Sequence, residues 1–255
     1  MTEHGIRIPI FLNQGKALLD EHEPAVAWAI SYVFDRAQGA VLDVGANIGQ
    51  TLLKIIRIDR ERPYYGFDVS PACVAYVRRF IAENSLENHV VLPFGLGAEE
   101  GIVPVLSKDP FDDMATVVEG FRSDALPAHR DLGLIKNGDA VISELGCDEI
   151  SLVKIDVEGG EADVLEGMSG TLRRTRPYVI CEVLPSVHLQ DESIVRMRKE
   201  RAARIMNLMS TLNFRIFRIH PDCRLEPVSS FELPDFHLSL CNYMFIPKEK
   251  VEPAA

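Results

Sequence analysis

Acidic side chains recur in this chain where apolar, strand-like runs come to an end. Asp43 lies in Ala40-Val-Leu-Asp-Val-Gly-Ala-Asn-Ile-Gly-Gln-Thr51, Asp68 in Tyr64-Tyr-Gly-Phe-Asp-Val69, Asp156 closes Ser151-Leu-Val-Lys-Ile-Asp156, and Glu182 lies in Tyr178-Val-Ile-Cys-Glu-Val183. Acids at the carboxyl ends of strands in an open α/β sheet lie where such sheets bind ligands. If these strands are neighbours, Asp43, Asp156 and Glu182 approach one edge, with Glu158 and Glu161 in the adjoining turn. Carboxylates crowded into a partly dry site repel one another and bind protons unless cations are present. Lys154 shares a strand face with Asp156 and can supply one; a cationic ligand can supply a second. A Mg²⁺-like ion, which prefers oxygen donors, is the third, with Asp156 and Glu182 as its expected ligands. Simple neutralisation of buried charge accounts equally well for Lys154, and a helix N-terminus for Glu161.

The ligand is read from the first of these runs. Gly45 and Gly49 around Asn47 form a tight turn into the helix-like stretch Thr51 to Ile58, giving strand, glycine turn and helix. A dinucleotide site would want G-x-G-x-x-G closing on a pyrophosphate. Here the glycines are four apart, and Asp43, two residues before the first, would repel a phosphate. A phosphate-free ligand that is cationic near the turn fits better, and S-adenosylmethionine, with its ammonium and sulfonium, is such a molecule. Asp68, 23 residues after Gly45, is placed to take both ribose hydroxyls, with Val69 beside it. Gly95-Leu-Gly97 offers room and one apolar face for a flat adenine.

The elements that position these residues alternate between strand and helix. Glu23 to Arg36 reads as an amphipathic helix ahead of the first strand. Ser70-Pro71 caps a helix running to about Asn84, and Val90 to Phe94 is a third strand. From Ala98 to Asp148 periodicity fades, and only Val141 to Leu145 reads as ordered; fifty residues exceed a simple crossover and are expected to include a substrate-facing excursion. A helix from about Ala162 to Arg173 and a long one from Asp191 to Leu212 follow, the latter with a basic run (Arg196, Arg198, Lys199, Arg201, Arg204) read as a solvated face. Phe214 to Ile219 and Asn242 to Ile246 are the last strands, with Pro221 to His237 a loop between them. The expected architecture is one doubly wound sheet in a single domain over residues 1–255, with a helical appendage over 1–38, a core over 39–250 and a tail over 251–255.

Composition narrows the partners. The chain has 255 residues, 47% of them hydrophobic and 25% charged, which is an ordinary globular composition. A formal net charge of -11 argues against nucleic acid, whose phosphates need clustered Lys and Arg. The five cysteines, at positions 73, 147, 181, 223 and 241, are far apart and read as reduced residues of a cytoplasmic protein. No apolar run approaches a membrane helix, and the N-terminus lacks the features of a signal peptide.

Three blocks carry a resemblance. Val41-Leu-Asp-Val-Gly-Ala-Asn-Ile-Gly49, Asp68 followed by Ser70-Pro71, and above all Lys154-Ile-Asp-Val-Glu-Gly-Gly-Glu161 resemble the FkbM-type methyltransferases, which are class I, Rossmann-like S-adenosylmethionine enzymes. Val164-Leu-Glu-Gly167 and Arg176 to Glu182 extend the similarity over roughly residues 38 to 185. The resemblance implies a seven-stranded sheet in the order 3-2-1-4-5-7-6 with the last strand antiparallel. It further implies that Gly45, Ala46, Asn47 and Gly49 line the methionine end of the donor, Asp68 the ribose and Gly95 to Gly97 the adenine, with Asp156 beside the departing methyl group. Asp43, Val69 and Leu96 complete the expected donor-binding set. The implied acceptor is a hydroxyl on a sugar, a polysaccharide precursor or a glycosylated or polyketide natural product.

An alcohol acceptor needs a base or a metal beside it. Asp156, Glu158 and His188, the last in the loop after the fifth strand, are the candidate bases. Two alternatives stand beside this reading: N-methylation of an amino sugar or a protein, and a catalytically silent nucleoside-binding protein on the same fold. A homo-oligomer is compatible with all of them.

Overall fold

A computed structural model describes residues 2–3, 5–10, 18, 23–121, 129–187, 189–233, 235 and 237–252. A short ribbon, β1 (Thr2–Glu3) and β2 (Ile6–Arg7), precedes α1 (Pro24–Phe34). The core then runs β3 (Ala40–Val44), α2 (Gln50–Ile58), β4 (Tyr64–Phe67), α3 (Pro71–Glu83) and β5 (His89–Leu92). Next comes β6 (Gly95–Gly97), and the excursion after it contains β7 (Gly101–Ser107), β8 (His129–Asn137) and α4 (Gly138–Glu144). The second half follows as β9 (Ile150–Ile155), α5 (Glu161–Gly167), α6 (Ser169–Thr175), β10 (Tyr178–Glu182), α7 (Glu192–Thr211), β11 (Phe214–Ile219), β12 (Leu225–Pro227) and β13 (Asn242–Pro247).

The large sheet has the order β12-β11-β13-β10-β9-β3-β4-β5. Strands β3, β4, β5, β9 and β10 are parallel, and β13 runs antiparallel to both β10 and β11. Counted in sequence order without the edge strand β12, this is 3-2-1-4-5-7-6. The eighth strand, β12, lies inside the segment expected to be a loop; it pairs antiparallel with β11 from Leu225 to Pro227. Three residues with a proline at their end carry no alternation that would mark them as a strand.

Every residue of β3 and β9 is buried, because helices cover both faces of the parallel sheet, as such sheets require. Val41, Leu152 and Ile180 pack against α1, α2 and α3 on one face. Leu42, Val44, Val153 and Ile155 pack against α4 to α7 on the other. Side-chain alternation therefore sends Asp43, Lys154 and Glu182 to the α1–α2 side.

The excursion is more regular than its sequence suggests. Strands β6, β8 and β7 form a separate three-stranded sheet, in which β7 and β8 pair antiparallel from Gly101↔Ile135 to Ser107↔His129. Their pattern is hidden because Pro104 sits in an outer strand, where a missing N–H is tolerated. In addition Ile102, Leu132 and Leu134 are exposed, so apolar residues do not mark a buried face. The expected helix from Ala162 to Arg173 is two short helices, α5 and α6, meeting at Met168. No helix among the described residues is long and apolar enough to cross a membrane.

Candidate functional site

The turn after β3 is dictated by how close two backbones come. Gly45 has φ +88°, and a Cβ there would lie 1.8 Å from the carbonyl oxygen of Asp156 in the turn after β9; only glycine fits. Gly49 caps α2 in the left-handed region at φ +90°, and its N–H closes the turn on the Ala46 carbonyl. Between them Asn47 is itself left-handed at φ +44°, and its N–H donates to Asp68 Oδ2 at 2.7 Å. The Ser70 N–H donates to Asp68 Oδ1 at 2.8 Å. These two bonds fix the carboxylate while leaving each oxygen a further lone pair, which is what a ribose diol needs. Burial raises the Asp68 pKa, and the two N–H groups oppose the rise.

Gly45, Asn47, Asp68, Val69, Gly95, Leu96 and Asp156 line one cavity of about 1260 Å³ at the carboxyl edge of the sheet. Three residues of the expected set do not. Ala46 is buried in the core against α1 to α3, Gly49 acts through its backbone, and Asp43 is fully buried below the cavity floor. The Asp43 position corrects the expectation that its carboxylate faces the ligand: alternation along β3 turns it into the sheet's α1–α2 face. There its Oδ2 accepts the Tyr64 hydroxyl at 2.7 Å. Burial pushes its pKa up to about 7, against the lowering influence of Tyr64 and Lys154.

The second half of the cavity is acidic and apolar. One carboxylate oxygen from each of Asp156, Glu158 and Glu182 lies within 4.8 Å of the others. Lys154 Nζ donates to Asp156 Oδ2 at 3.0 Å. Burial alone would lower the Lys154 pKa, but Asp156, Glu23 and Glu182 around it outweigh that and hold the ammonium above its ordinary value. Burial, with Asp156 and Glu158 adjacent, pushes Glu182 well above the carboxylate range. Glu161 is separate from this group. It lies buried at the start of α5, where its Oε1 accepts the Gly159 N–H at 2.9 Å, and burial raises its pKa to about 7. The expected base His188 lies outside the described residues.

The excursion and α7 hold the acidic turn in place. Thr116 Oγ1 donates to the Glu158 carbonyl at 2.6 Å, and Arg201 Nη1 donates to the Gly159 carbonyl at 2.6 Å. Met114, Val117 and Val118 from the excursion line the cavity beside Leu184 and Val187. The basic run on α7 is therefore not simply a solvated face. Arg201 and Arg204 pair with Asp163, and Arg204 with Glu166 as well. Arg198 is buried and lines the cavity; it donates to the Pro185 and Phe121 carbonyls and stacks over the Phe121 ring at 4.8 Å. A basic run on a helix gives no sequence signal that one arginine faces inward. Glu23 was likewise hidden, because an acid just before Pro24 reads as a helix start.

A family profile described as the methyltransferase FkbM domain matches residues 43–216. The chain belongs to that family. FkbM-domain enzymes transfer methyl groups from S-adenosylmethionine, and a cradle free of phosphate-type glycines, with a fixed carboxylate for a ribose, suits that donor. Among solved structures, the chain is similar to methyltransferase FkbM from Methylobacillus flagellatus KT, with 17% identity and a TM-score of 0.51 over 82% of this chain and 43% of that one. It is also similar to a Staphylococcus aureus protein assigned as a caffeoyl-CoA O-methyltransferase, with 8% identity and a TM-score of 0.52 over 89% of this chain and 85% of that one. At these identities the likeness concerns the fold. The chain spans less than half the length of the Methylobacillus protein. No curated protein matches the sequence.

Proposed function

We propose that this FkbM-domain chain transfers the methyl group of S-adenosylmethionine to a hydroxyl oxygen of a small acceptor, such as a sugar, a polysaccharide precursor or a glycosylated or polyketide natural product. The observation that carries the reading is the continuity of one cavity from the Asp68 carboxylate to the Asp156, Glu158 and Glu182 cluster. Methyl transfer is an in-line displacement: the acceptor oxygen bonds to the methyl carbon, the carbon–sulfur bond breaks, and sulfur takes the electron pair. The protein's share is to align the acceptor and accept its proton. Asp156 and Glu158 are the carboxylates read as proton acceptors, while Glu182, with its raised pKa, is the member of the cluster most ready to hold a proton. The apolar wall of Met114, Val118, Leu184 and Val187 suits the carbon skeleton of an amphiphilic acceptor better than a nucleic-acid backbone.

The same three carboxylates offer oxygen donors of the kind a Mg²⁺-like ion prefers. Such an ion, held by Asp156 and Glu182 with Glu158 at its side, would supply polarisation of the acceptor hydroxyl. Exhaustive chelation that leaves turnover unchanged removes the ion from the reading, whereas loss restored by Mg²⁺ supports it.

The test of the function is to incubate the purified chain with methyl-labelled donor and matched panels of hydroxylated and amino-sugar acceptors, and to locate the methyl by NMR. Methyl on oxygen is the expected result. Methyl on nitrogen transfers the reading to the amine class, and donor binding without transfer to any acceptor makes the chain a binding protein.

A further inference from the structure

With Asp43 sealed beneath the cavity, the turn after β3 lacks the acid that was expected to meet the donor's positive methionine end. A different carboxylate occupies that end. Glu23, immediately before α1, lines the cavity together with Asn47, Gln50 and Thr51 of the α2 turn. It is a non-glycine residue held in the left-handed region, at φ +54° and ψ +63°, a conformation that persists only where the surroundings fix it. Two side chains hold its carboxylate. Asn242 Nδ2, at the start of β13, donates to Glu23 Oε1 at 3.2 Å, and Lys54 Nζ, on α2, donates to Glu23 Oε2 at 3.4 Å.

The surrounding charges leave Glu23 this role. Of the acids at this half of the cavity, Asp68 is fixed by the Asn47 and Ser70 N–H groups for a diol, Asp112 accepts the Lys108 and Met114 N–H groups of its own loop, and Asp156 bonds to Lys154. Among the described residues no lysine lines the cavity, and its arginines, Arg198, Arg201 and Arg204, come from α7. An ammonium entering beside Asn47 thus meets the Glu23 carboxylate, whose partner Lys54 is buried and does not itself line the cavity. The first turn of α2, nine residues long, places Gln50 and Thr51 on the same cavity wall, and a helix N-terminus favours a carboxylate. Because an amino acid's ammonium and carboxylate share one carbon, the two features must be adjacent to hold both, and here they line the same wall.

We propose that Glu23 binds the α-ammonium of the methyl donor while the first turn of α2 takes its carboxylate, so that the segment before α1 is part of the donor site. The inference rests on the methyl-donor reading above. A mere structural partner for Lys54 would not distinguish ligands by their amino group, and that distinction is the test.

Calorimetry of the full chain with S-adenosylhomocysteine, and with its analogue carrying a hydroxyl in place of the amino group, reads it directly. Wild type is expected to bind the deaminated analogue about 10-fold or more weakly, the loss of a charge-assisted bond. In Glu23→Gln, S-adenosylhomocysteine should weaken by about the same factor while the analogue changes by less than about threefold, so the preference disappears. Wild type indifferent to the amino group overturns the inference whether or not the variant folds, and so does an equal loss for both ligands in Glu23→Gln. Wild type that binds neither ligand overturns the donor reading itself.

Discussion

The carbonyl oxygen of Asp156 occupies the space into which a side chain on Gly45 would project. A Cβ there would come within 1.8 Å of it, and the Asp156 N–H in turn donates to the Val44 carbonyl at 3.0 Å. The glycine turn after β3 and the acidic turn after β9 are thus one joint.

Substituting Gly45→Ala should therefore break both. The φ of +88° is strained for alanine, and the opposing atom is backbone, which cannot swing aside. We expect a loss of about 3 kcal/mol or more in stability, read by urea unfolding, together with loss of S-adenosylhomocysteine binding. Gly101→Ala, where a Cβ meets nothing within 4 Å, is the matched control and should change neither.

Buried carboxyls set a pH dependence whose sign runs opposite to ordinary acid unfolding, with Asp43 and Glu161 contributing beside Asp68 and Glu182. Asp43 and Glu161 each have a folded pKa of about 7, raised by burial from 3.8 and 4.5. The folded protein keeps these protons where the unfolded chain has released them, so stability falls as pH rises from about 4 to about 7. Each contributes on the order of 3 kcal/mol. Asp163, Asp191, Glu226 and Glu249, whose pKa values are lowered, act in the opposite sense at more acid pH. In Asp43→Asn the amide oxygen can still accept the Tyr64 hydroxyl, and in Glu161→Gln the Gly159 N–H. Unfolding across a pH series should show each variant with a flatter slope between pH 4 and 7; an unchanged slope refutes the assignment.

What could be read from the sequence follows from which forces leave periodic traces. The buried strands β3, β9 and β10 are continuous apolar runs because helices cover both faces, and the Ser70-Pro71 cap is local chemistry: Ser70 accepts the Cys73 N–H. Asp43 follows alternation along β3, a rule available from sequence, and not its nearness to the glycine turn. Strands β7 and β8 left no trace because their exposed face is apolar at Ile102, Leu132 and Leu134. Arg198 and Glu23 are known only through tertiary contacts, with Phe121 and Pro185 in one case and Lys54 and Asn242 in the other.

Arg198 ties the loop after β10 to the excursion, since it bonds to the Pro185 carbonyl and the Phe121 carbonyl at once. The Phe121 ring in turn fills the space that a Cβ on Gly159 would need. Lysine keeps the charge but not the planar fork that reaches two carbonyls. Arg198→Lys should cost about 1–3 kcal/mol of stability and raise the acceptor KM by about tenfold or more. Donor affinity should stay unchanged, because the bonds that fix Asp68 involve neither Arg198 nor the two carbonyls it holds. Steady-state kinetics beside calorimetry separates the two; an equal effect on donor binding would contradict the division of the cavity into donor and acceptor halves.

Lys154 is the buried counter-charge of the acidic cluster, at 3.0 Å from Asp156 and 2% exposed. Methionine fills a similar volume without charge. Lys154→Met removes the ammonium that offsets Asp156 and Glu182, and breaking a buried pair in this way costs about 3–5 kcal/mol. The remaining carboxylates can recover part of that by taking up protons, so the deficit relative to wild type should be smaller at pH 5 than at pH 8. Urea unfolding at both pH values measures it. Adding Asp156→Asn should restore part of the stability at pH 8, because the carboxylate that Lys154 offset is then gone. A double variant no more stable than Lys154→Met would mean that the lysine acts by filling space and not by its charge.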